Sequence, residues 1–180
     1  MSVVEYRPAT AEDASAIGAL HVMSWRETYV GLLPEDMLAG LSAESRATMW
    51  AAVLDAPASP NGRHVYVVES AGKIVGFGTC GGQRDDMLRK RGFAGEIGAI
   101  YVLRSQQGAG VGRALMNLMA RDLLARLMPS ASLWVLRENV KARSFYERLG
   151  GSIIAEKEIT EGETTLHEVA YGWPDLAHLT

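Results

Sequence analysis

The chain has 180 residues, of which 48% are hydrophobic, and a formal net charge of −3 at pH 7. This length is typical of one domain with a substantial buried core, so we expect residues 1–180 to form a single domain. The small negative charge gives no support to nucleic acid or an anionic membrane as a partner. With one cysteine, Cys80, the chain cannot form an internal disulfide framework.

The first eight residues lack the basic start and the apolar run of a signal peptide. No apolar stretch approaches the roughly 20 residues that span a bilayer. The lone cysteine fits a reducing compartment. These features together predict a cytoplasmic protein.

The first third of the chain predicts one strand and then helices. Thr10 and Asp13 resemble a capping box, and Pro34 suits the first turn of a new helix. A loop rich in proline and glycine follows the helices. The predicted elements are a strand over 3–7, a helix over 11–28, a restart near 34, a helix over 43–54 and a loop over 56–62.

The remaining sequence alternates strands with helices. A short turn with glycine, residues 70–72, lies between two runs rich in β-branched residues and predicts a hairpin. The charged residues 84–92 predict a solvated connection. The further predictions are strands over 63–69, 73–81, 96–103 and 132–136, helices over 114–128 and 139–150, and a closing hairpin of 152–159 and 164–171 around 161–163.

This order, β-α-α-β-β-β-α-β-α-β-β, combines hairpins with helical crossovers. It predicts an α/β (α+β) fold with a mixed, mostly antiparallel twisted sheet and helices on both faces. In the helix over 114–128, apolar residues recur every four positions, which predicts one inward face. These residues are Leu115, Met119, Leu123 and Leu127.

Residues 104–113 form the most informative segment, between a predicted strand and a predicted helix. Gly108, Gly110 and Gly112 permit a tight turn and leave backbone N–H groups accessible. The first amides of the following helix have no internal partner, and the helix dipole favours negative charge there. Such a turn predicts a phosphate or pyrophosphate site.

The glycine turn alone leaves several functions open. A P-loop needs Lys and Ser or Thr after its last glycine, whereas Arg113 and Ala114 follow Gly112. A dinucleotide fingerprint needs the spacing G-x-G-x-x-G, whereas this chain has G-x-G-x-G. A glycine-rich loop without a ligand also fits the turn taken alone.

A second segment, residues 139–150, favours a ligand. Asn139 is a good helix cap, and Gly150 is the residue type that commonly ends a helix. Asn139 and Tyr146 are seven positions apart, so they lie on nearly the same helix face, about 10 Å apart along the axis. An amide-bearing arm of a ligand could lie along that face.

These segments resemble the GNAT N-acetyltransferases. Residues 107–112 match the family signature Q/R-x-x-G-x-G/A, and residues 139–150 resemble its N-x-x-A-x-x-F/Y-Y…G segment. Residues 95–102 resemble the acidic strand that precedes the loop in the family. The match covers about residues 95–151, and the three segments occur in family order and spacing.

The resemblance implies acetyl-coenzyme A as cosubstrate. It places the pyrophosphate on the glycine turn and the pantetheine arm beside the preceding strand, where the amide of Val102 would face the thioester oxygen. The implied cofactor-binding residues are Ile100, Tyr101, Val102, Gln107, Gly108, Ala109, Gly110, Val111, Gly112, Arg113, Asn139 and Tyr146.

Acetyl transfer to an amine also needs a base and an acid. Tyr146 matches the general-acid position of the family and would protonate the leaving thiolate. Glu96 is the candidate base, directly or through water, because period-two alternation places it on the same side of its strand as Ile100. Water or another carboxylate also fits the base role.

The acceptor is an unknown primary amine of a small molecule or peptide. Trp25, Glu27 and Tyr29 lie in the segment that borders the acceptor pocket in this family, and packing explains them equally well. A non-catalytic acyl-coenzyme A sensor, a longer acyl group and a protein N-terminus as acceptor stay open. The resemblance also implies a homodimer. His21, His64, His167 and His178 lack ligand spacing, so no metal is expected.

Overall fold

The structure, a computed structural model, describes residues 4–161 and 163–180. Val3, where the first strand was predicted to begin, and Gly162, the centre of the last predicted turn, lie outside the described residues. The strands are β1 (Val4–Pro8), β2 (His64–Ser70), β3 (Lys73–Gly82), β4 (Gly95–Val102), β5 (Ala131–Leu136), β6 (Ser152–Glu161) and β7 (Thr164–Trp173). The α-helices are α1 (Ala14–Tyr29), α2 (Glu35–Ala39), α3 (Ala43–Leu54), α4 (Asp86–Lys90), α5 (Val111–Ala125) and α6 (Val140–Arg148).

The strands form one seven-stranded sheet in the order β1-β2-β3-β4-β5-β7-β6. Every neighbouring pair is antiparallel except β4 and β5, which are parallel. The predicted mixed, mostly antiparallel sheet is therefore confirmed. Among the helices of the described residues, none is both long enough and apolar enough to cross a membrane.

The turn between β2 and β3 shows how local sequence fixes a register. Ala71 and Gly72 both have positive φ, 50° and 74°, and they join Ser70 directly to Lys73. Two left-handed residues give the backbone twist that suits a two-residue hairpin. The hairpin predicted here is confirmed.

Helices cover both faces of the sheet. On one face, α5 buries Leu115, Met119 and Leu123, each 0% exposed, against β3, β4 and β5. On the other face, Ile17 of α1 packs with buried side chains of α3 and the sheet. Burying one such side chain stabilises the fold by about 1.5–3 kcal/mol. The predicted cover on both faces is confirmed.

The inward face predicted for the glycine helix is wrong at Leu127. The helix ends at Ala125, the amide of Met128 donates to the carbonyl of Leu123 at 2.9 Å, and Leu127 is left-handed with φ 60°. This is the arrangement that commonly closes a helix. Leu127 is therefore 89% exposed, and Met128, which is 5% exposed, takes the place in the core that was predicted for Leu127.

Two short helices are missing from the predicted element order. One is α2, which corresponds to the predicted helix restart near 34, and the other, α4, lies in residues 84–92, which were predicted to form a solvated connection. The carboxylate of Asp85 caps α4 by accepting from the amides of Met87 and Leu88, at 2.9 and 3.2 Å. Leu88 is 1% exposed, and its burial anchors α4 although the segment is rich in charge.

Candidate functional site

A cleft opens where β4 and β5 separate. The two strands pair only at Gly95 with Ala131 and at Glu96 with Ser132, although both continue beyond these pairs. The cleft has a volume of about 400 Å³ and is bounded by β4, β5, α6 and the turn before α5. Unpaired backbone groups of β4 along this gap can bind an extended amide-bearing ligand as an added strand.

The hydrogen-bond pattern of β4 shows which amides face the cleft. The amide of Leu103 donates to the carbonyl of Val75 at 3.0 Å. Because antiparallel bonding alternates along a strand, the amide of Val102 points away from β3 and toward the cleft. This is the direction that the resemblance requires of an amide beside a thioester.

A β-bulge at Gly98 changes which side chains share a face. Thr79 pairs with Ala99, but the next residue, Cys80, pairs with Ile97, so Gly98 is the extra residue. Ile97 and Ile100 therefore pack on the same side although they are three positions apart. The expectation that Glu96 shares a side with Ile100 is wrong, because simple alternation does not continue through a bulge.

The glycine turn has the conformation that its sequence predicts. Gly108 and Gly110 have φ of 81° and 83°, and Gly110 caps the start of α5. The first helical bond runs from the amide of Ala114 to the carbonyl of Gly110, so the amides before Ala114 have no partner within the helix. Gly108, Gly110 and Gly112 line one end of the cleft, so these amides lie beside it.

Gly112 has a different role from the two glycines before it. It lies inside α5, and a Cβ atom there would come within 3.2 Å of the Phe145 ring. The glycine therefore allows α5 and α6 to pack closely beside the cleft. Phe145 also lines the cleft.

Polar and basic side chains line the same end of the cleft. The Gln107 side-chain amide donates to the Val102 carbonyl at 2.8 Å and accepts from the Lys141 ammonium, so it links β4 to α6. Arg113 is exposed and has no hydrogen-bond partner among residues 4–161 and 163–180. Arg113 and Lys141 give this end positive charge, which suits a pyrophosphate.

Asn139, the cap residue before α6, and Tyr146 of α6 both line the cleft. The Asn139 side-chain oxygen caps the helix by accepting from the Ala142 amide at 3.2 Å. Its NH₂ group has no partner in the described part of the chain, so capping leaves it available to a ligand. Burial, and then the nearby Tyr101, raises the pKa of Tyr146 above the ordinary tyrosine value.

Two more phenols lie near Tyr146. The Trp25 indole N–H donates to the hydroxyl of Tyr101 at 2.9 Å, and the Tyr29 ring lies 5.0 Å from the Trp25 ring. Burial raises the pKa of Tyr29 and also that of Tyr101. Tyr29 and Tyr101 line the cleft, whereas Trp25 supports them from behind.

Glu27 is engaged elsewhere. Its carboxylate accepts from the Arg104 amide at 3.0 Å, and its carbonyl accepts from the Arg104 guanidinium at 2.7 Å. These bonds tie the end of α1 to the segment before the glycine turn. Of the three predicted acceptor-pocket residues, only Tyr29 lines the cleft.

Glu96 is paired with Arg84. The guanidinium donates to both carboxylate oxygens, at 3.0 and 2.6 Å, and the Arg84 amide donates at 3.1 Å. Glu96 lines a smaller pocket next to the main cleft, with Arg63 and Gly98. Gly98 borders both pockets, so the Glu96 carboxylate is close to the cleft without lining it.

Cys80 is 1% exposed and donates its S–H to the Asp122 carboxylate at 3.2 Å. Burial raises the pKa of this thiol well above its ordinary value. Such a thiol is a poor nucleophile.

Sequence reasoning missed Trp134, which lines the cleft from β5. The run 131–136 is nearly continuous in apolar residues, so its pattern does not show which side chain faces the cleft. An indole in an otherwise aliphatic strand was the one available signal.

The comparisons with known proteins agree with this geometry. The sequence model of the Acetyltransferase (GNAT) family matches residues 21–151. The chain belongs to this family. The predicted enzyme class, N-acetyltransferase, is therefore confirmed, and acetyl-coenzyme A is the cosubstrate of the family.

This GNAT protein resembles relatives over nearly its whole length. It is 33% identical over 178 residues to the uncharacterized N-acetyltransferase YuaI of Bacillus subtilis (strain 168), covering 98% of this chain and 96% of that one. An N-acetyltransferase from Staphylococcus aureus Mu50 has a similar structure, with a TM-score of 0.70 at 18% identity, covering 97% and 99% of the two chains. The structure of yncA from Salmonella typhimurium, with its cofactor acetyl-CoA, has a TM-score of 0.69 at 18% identity, covering 97% and 95%. The structural likeness confirms the predicted fold class.

Proposed function

We propose that residues 1–180 form a single catalytic domain that transfers an acetyl group from acetyl-coenzyme A to a primary amine of a small molecule or peptide. The attack is direct and takes place in a ternary complex. One observation carries the proposal: a gap between two diverging strands leads to a helix start with unpartnered amides. The structural neighbour yncA, solved with acetyl-CoA, supports the same cosubstrate.

In this proposal the coenzyme lies along the cleft. The amides of Gly108, Gly110 and Gly112 bind the pyrophosphate, and the Arg113 guanidinium neutralises its charge. The backbone of residues 100–102 pairs with the pantetheine arm, and the side-chain NH₂ of Asn139 donates to it. Gln107, Ala109 and Val111 complete the turn.

The reaction requires that the nitrogen be uncharged when it attacks, whereas an alkylamine has a pKa near 10.4. We assign Glu96 the base role, and because Arg84 holds its carboxylate beside the cleft, the proton reaches it through a water molecule. The amine nitrogen then forms a bond to the thioester carbon, and the Val102 amide stabilises the oxyanion. The carbon–sulfur bond breaks, and the thiolate takes a proton from the Tyr146 hydroxyl. The new amide nitrogen then loses its extra proton, which returns to the Tyr146 oxygen through water.

Two measurements test the proposal. Titration calorimetry should show saturable binding of acetyl-coenzyme A and of coenzyme A, and a thiol-release assay should show turnover that depends on an added amine. Binding without thiol release, across a broad panel of amines and acyl-coenzyme A thioesters, would instead indicate a non-catalytic acyl-coenzyme A sensor. No binding of either form by the folded protein would exclude the cleft as a coenzyme site.

A further inference from the structure

A group of charged side chains surrounds the Trp134 indole beside the cleft. The Lys157 ammonium lies 4.0 Å from the centre of the Trp134 ring and 3.3 Å from a Glu168 carboxylate oxygen. The indole N–H donates to the Asp85 carboxylate at 3.1 Å. We call Trp134, Lys157 and Glu168 the ammonium cluster.

The sheet brings these three residues together from three strands. Lys157 of β6 lies directly opposite Glu168 of β7, and Trp134 of β5 lies opposite Ala170, two residues further along β7. Trp134 alternates with Leu133 and Val135, which pack on the α5 side, so its indole lies on the face that α1 covers. Trp134 is the member of the cluster that also lines the cleft.

Glu168 extends the cluster toward the phenols of the cleft. Its opposite residue on β5 is Leu136, which belongs to an apolar group against which Tyr29 packs. The charge of Glu168 is close enough to Tyr29 to add to the rise in the pKa of Tyr29 that burial and Tyr101 cause. One carboxylate oxygen of Glu168 contacts Lys157, and the other has no hydrogen-bond partner in the described ranges 4–161 and 163–180.

Asp85 and Glu168 differ in what their oxygens can still bind. One oxygen of Asp85 caps α4 and the other accepts from Trp134, so Asp85 holds the indole in place. Within the ranges that the structure describes, Glu168 is tied only to the Lys157 side chain, which is 36% exposed. Glu168 can therefore exchange its partner, whereas Asp85 cannot do so without loss of the cap.

An aromatic face next to a carboxylate is complementary to an alkylammonium ion. Lys157 shows directly that such an ion fits between Trp134 and Glu168. A nitrogen held in this way is stabilised in its charged form and cannot attack a thioester. A substrate bound there must carry a second nitrogen that reacts.

We propose that Trp134 and Glu168 bind the non-reacting ammonium of an aliphatic diamine acceptor, which displaces the Lys157 ammonium. The acceptor class is thus a flexible chain with two primary amines, one held by Glu168 and the other extended to the thioester. This inference rests on the proposed function. Lys157 competes with the substrate for the site, so its removal favours binding.

The test compares diamines with monoamines of the same length in the thiol-release assay. The pairs are 1,4-diaminobutane with n-butylamine and 1,6-diaminohexane with n-hexylamine. The wild-type protein should prefer at least one diamine over its monoamine by about tenfold or more in kcat/KM, since one charged hydrogen bond contributes about that much. Equal use of both members of each pair would overturn the proposal.

Two variants should change KM for the diamine in opposite directions. Glu168→Gln should raise KM for the diamine by about tenfold or more and change KM for the monoamine by less than about twofold. Lys157→Met should lower KM for the diamine severalfold. Glu158→Gln, on the same hairpin but paired with His167, is the matched control and should change neither. Equal effects of Glu168→Gln on both amines would overturn the proposal.

A binding measurement keeps the inference separate from catalysis. The NMR signal of the Trp134 indole N–H can be assigned by its loss in Trp134→Phe. This signal should shift saturably when 1,4-diaminobutane or 1,6-diaminohexane is titrated into the coenzyme A complex. If no coenzyme binds, the free protein is titrated instead. Glu168→Gln should abolish the shift. If thiol release fails while this shift is present, the proposed function is wrong and the ammonium site stands. If the wild-type signal does not shift with either diamine, the ammonium site is wrong.

Discussion

At the scale of single residues, the cleft combines an available phenol, Tyr146, with an engaged one, Tyr101. Tyr146 is buried among Phe145, Tyr171 and Trp173, and its hydroxyl has no hydrogen-bond partner in the described residues. The Tyr101 hydroxyl, in contrast, already accepts from the Trp25 indole. A phenol with a raised pKa keeps its proton at neutral pH and can donate it to a developing thiolate.

The proposed acid role predicts a selective defect for Tyr146→Phe. The ring and its packing are kept, so affinity for coenzyme A should stay within about twofold of the wild-type value. The turnover number should fall by at least about tenfold, because general-acid catalysis contributes 10² or more. Stopped-flow thiol release and calorimetry measure the two quantities. Tyr6→Phe on β1, outside the cleft, is the control, and normal turnover of Tyr146→Phe would remove the acid role.

At the scale of elements, the start of α5 and the end of β4 form the site together. Gly110 is left-handed in open space, where a Cβ atom would have no neighbour within 4 Å, so conformation and not packing requires glycine there. The bulge at Gly98 instead reflects packing, because a Cβ atom there would lie 2.7 Å from the Thr79 hydroxyl. Gly110 orients the backbone amides of the glycine turn, and Gly98 allows β4 to change direction beside the cleft.

Gly110→Val should weaken coenzyme A binding by about tenfold or more, because a β-branched residue avoids the left-handed conformation and would turn the amides of the loop. Calorimetry measures the dissociation constant. Gly72→Val is the matched control: Gly72 has φ 74°, equally open surroundings and a place in the β2–β3 hairpin away from the cleft. It should lower the unfolding temperature but leave affinity unchanged. Normal affinity of Gly110→Val would contradict the pyrophosphate assignment.

At the scale of the whole molecule, a buried histidine joins α1 to α3 behind the cleft. The His21 ring accepts from the Trp50 indole N–H at 3.1 Å and lies 5.3 Å from the ring of Tyr101. Burial, and then the charge of Arg46, lowers the pKa of His21 from 6.5 to about 4. The folded protein therefore holds the His21 imidazole neutral, and the packing of α1 against α3 depends on this neutral form.

This shift predicts how stability depends on pH. Above pH 6.5 His21 is neutral in both the folded and the unfolded chain, so its contribution to stability is fully present. Between pH 6.5 and about 4 the unfolded chain binds a proton at His21 that the folded chain does not bind. The free energy of unfolding should fall by about 2–3 kcal/mol over that range because of this residue. Urea unfolding at several pH values measures it. His21→Gln should show a shallower dependence, and an unchanged slope would contradict the assignment.

The sequence by itself determined the order of the strands and longer helices, the hairpin at Ala71 and Gly72, and the glycine turn. Each of these depends on neighbours along the chain: alternation, caps and left-handed residues are local properties. The family signature has the same local character, since residues 107–112 and 139–150 are each continuous. This is why the glycine turn and the family could be predicted before the fold was known.

The tertiary structure decided which side chains meet. The bulge at Gly98 moved Glu96 to the face opposite Ile100, and a closing turn of the helix took Leu127 out of the core. Trp134, Lys157 and Glu168 come together only because three strands lie in the order β5-β7-β6. The strand that lies beside β5 is set by packing between segments that are distant in the sequence, which the pattern of a single strand does not show.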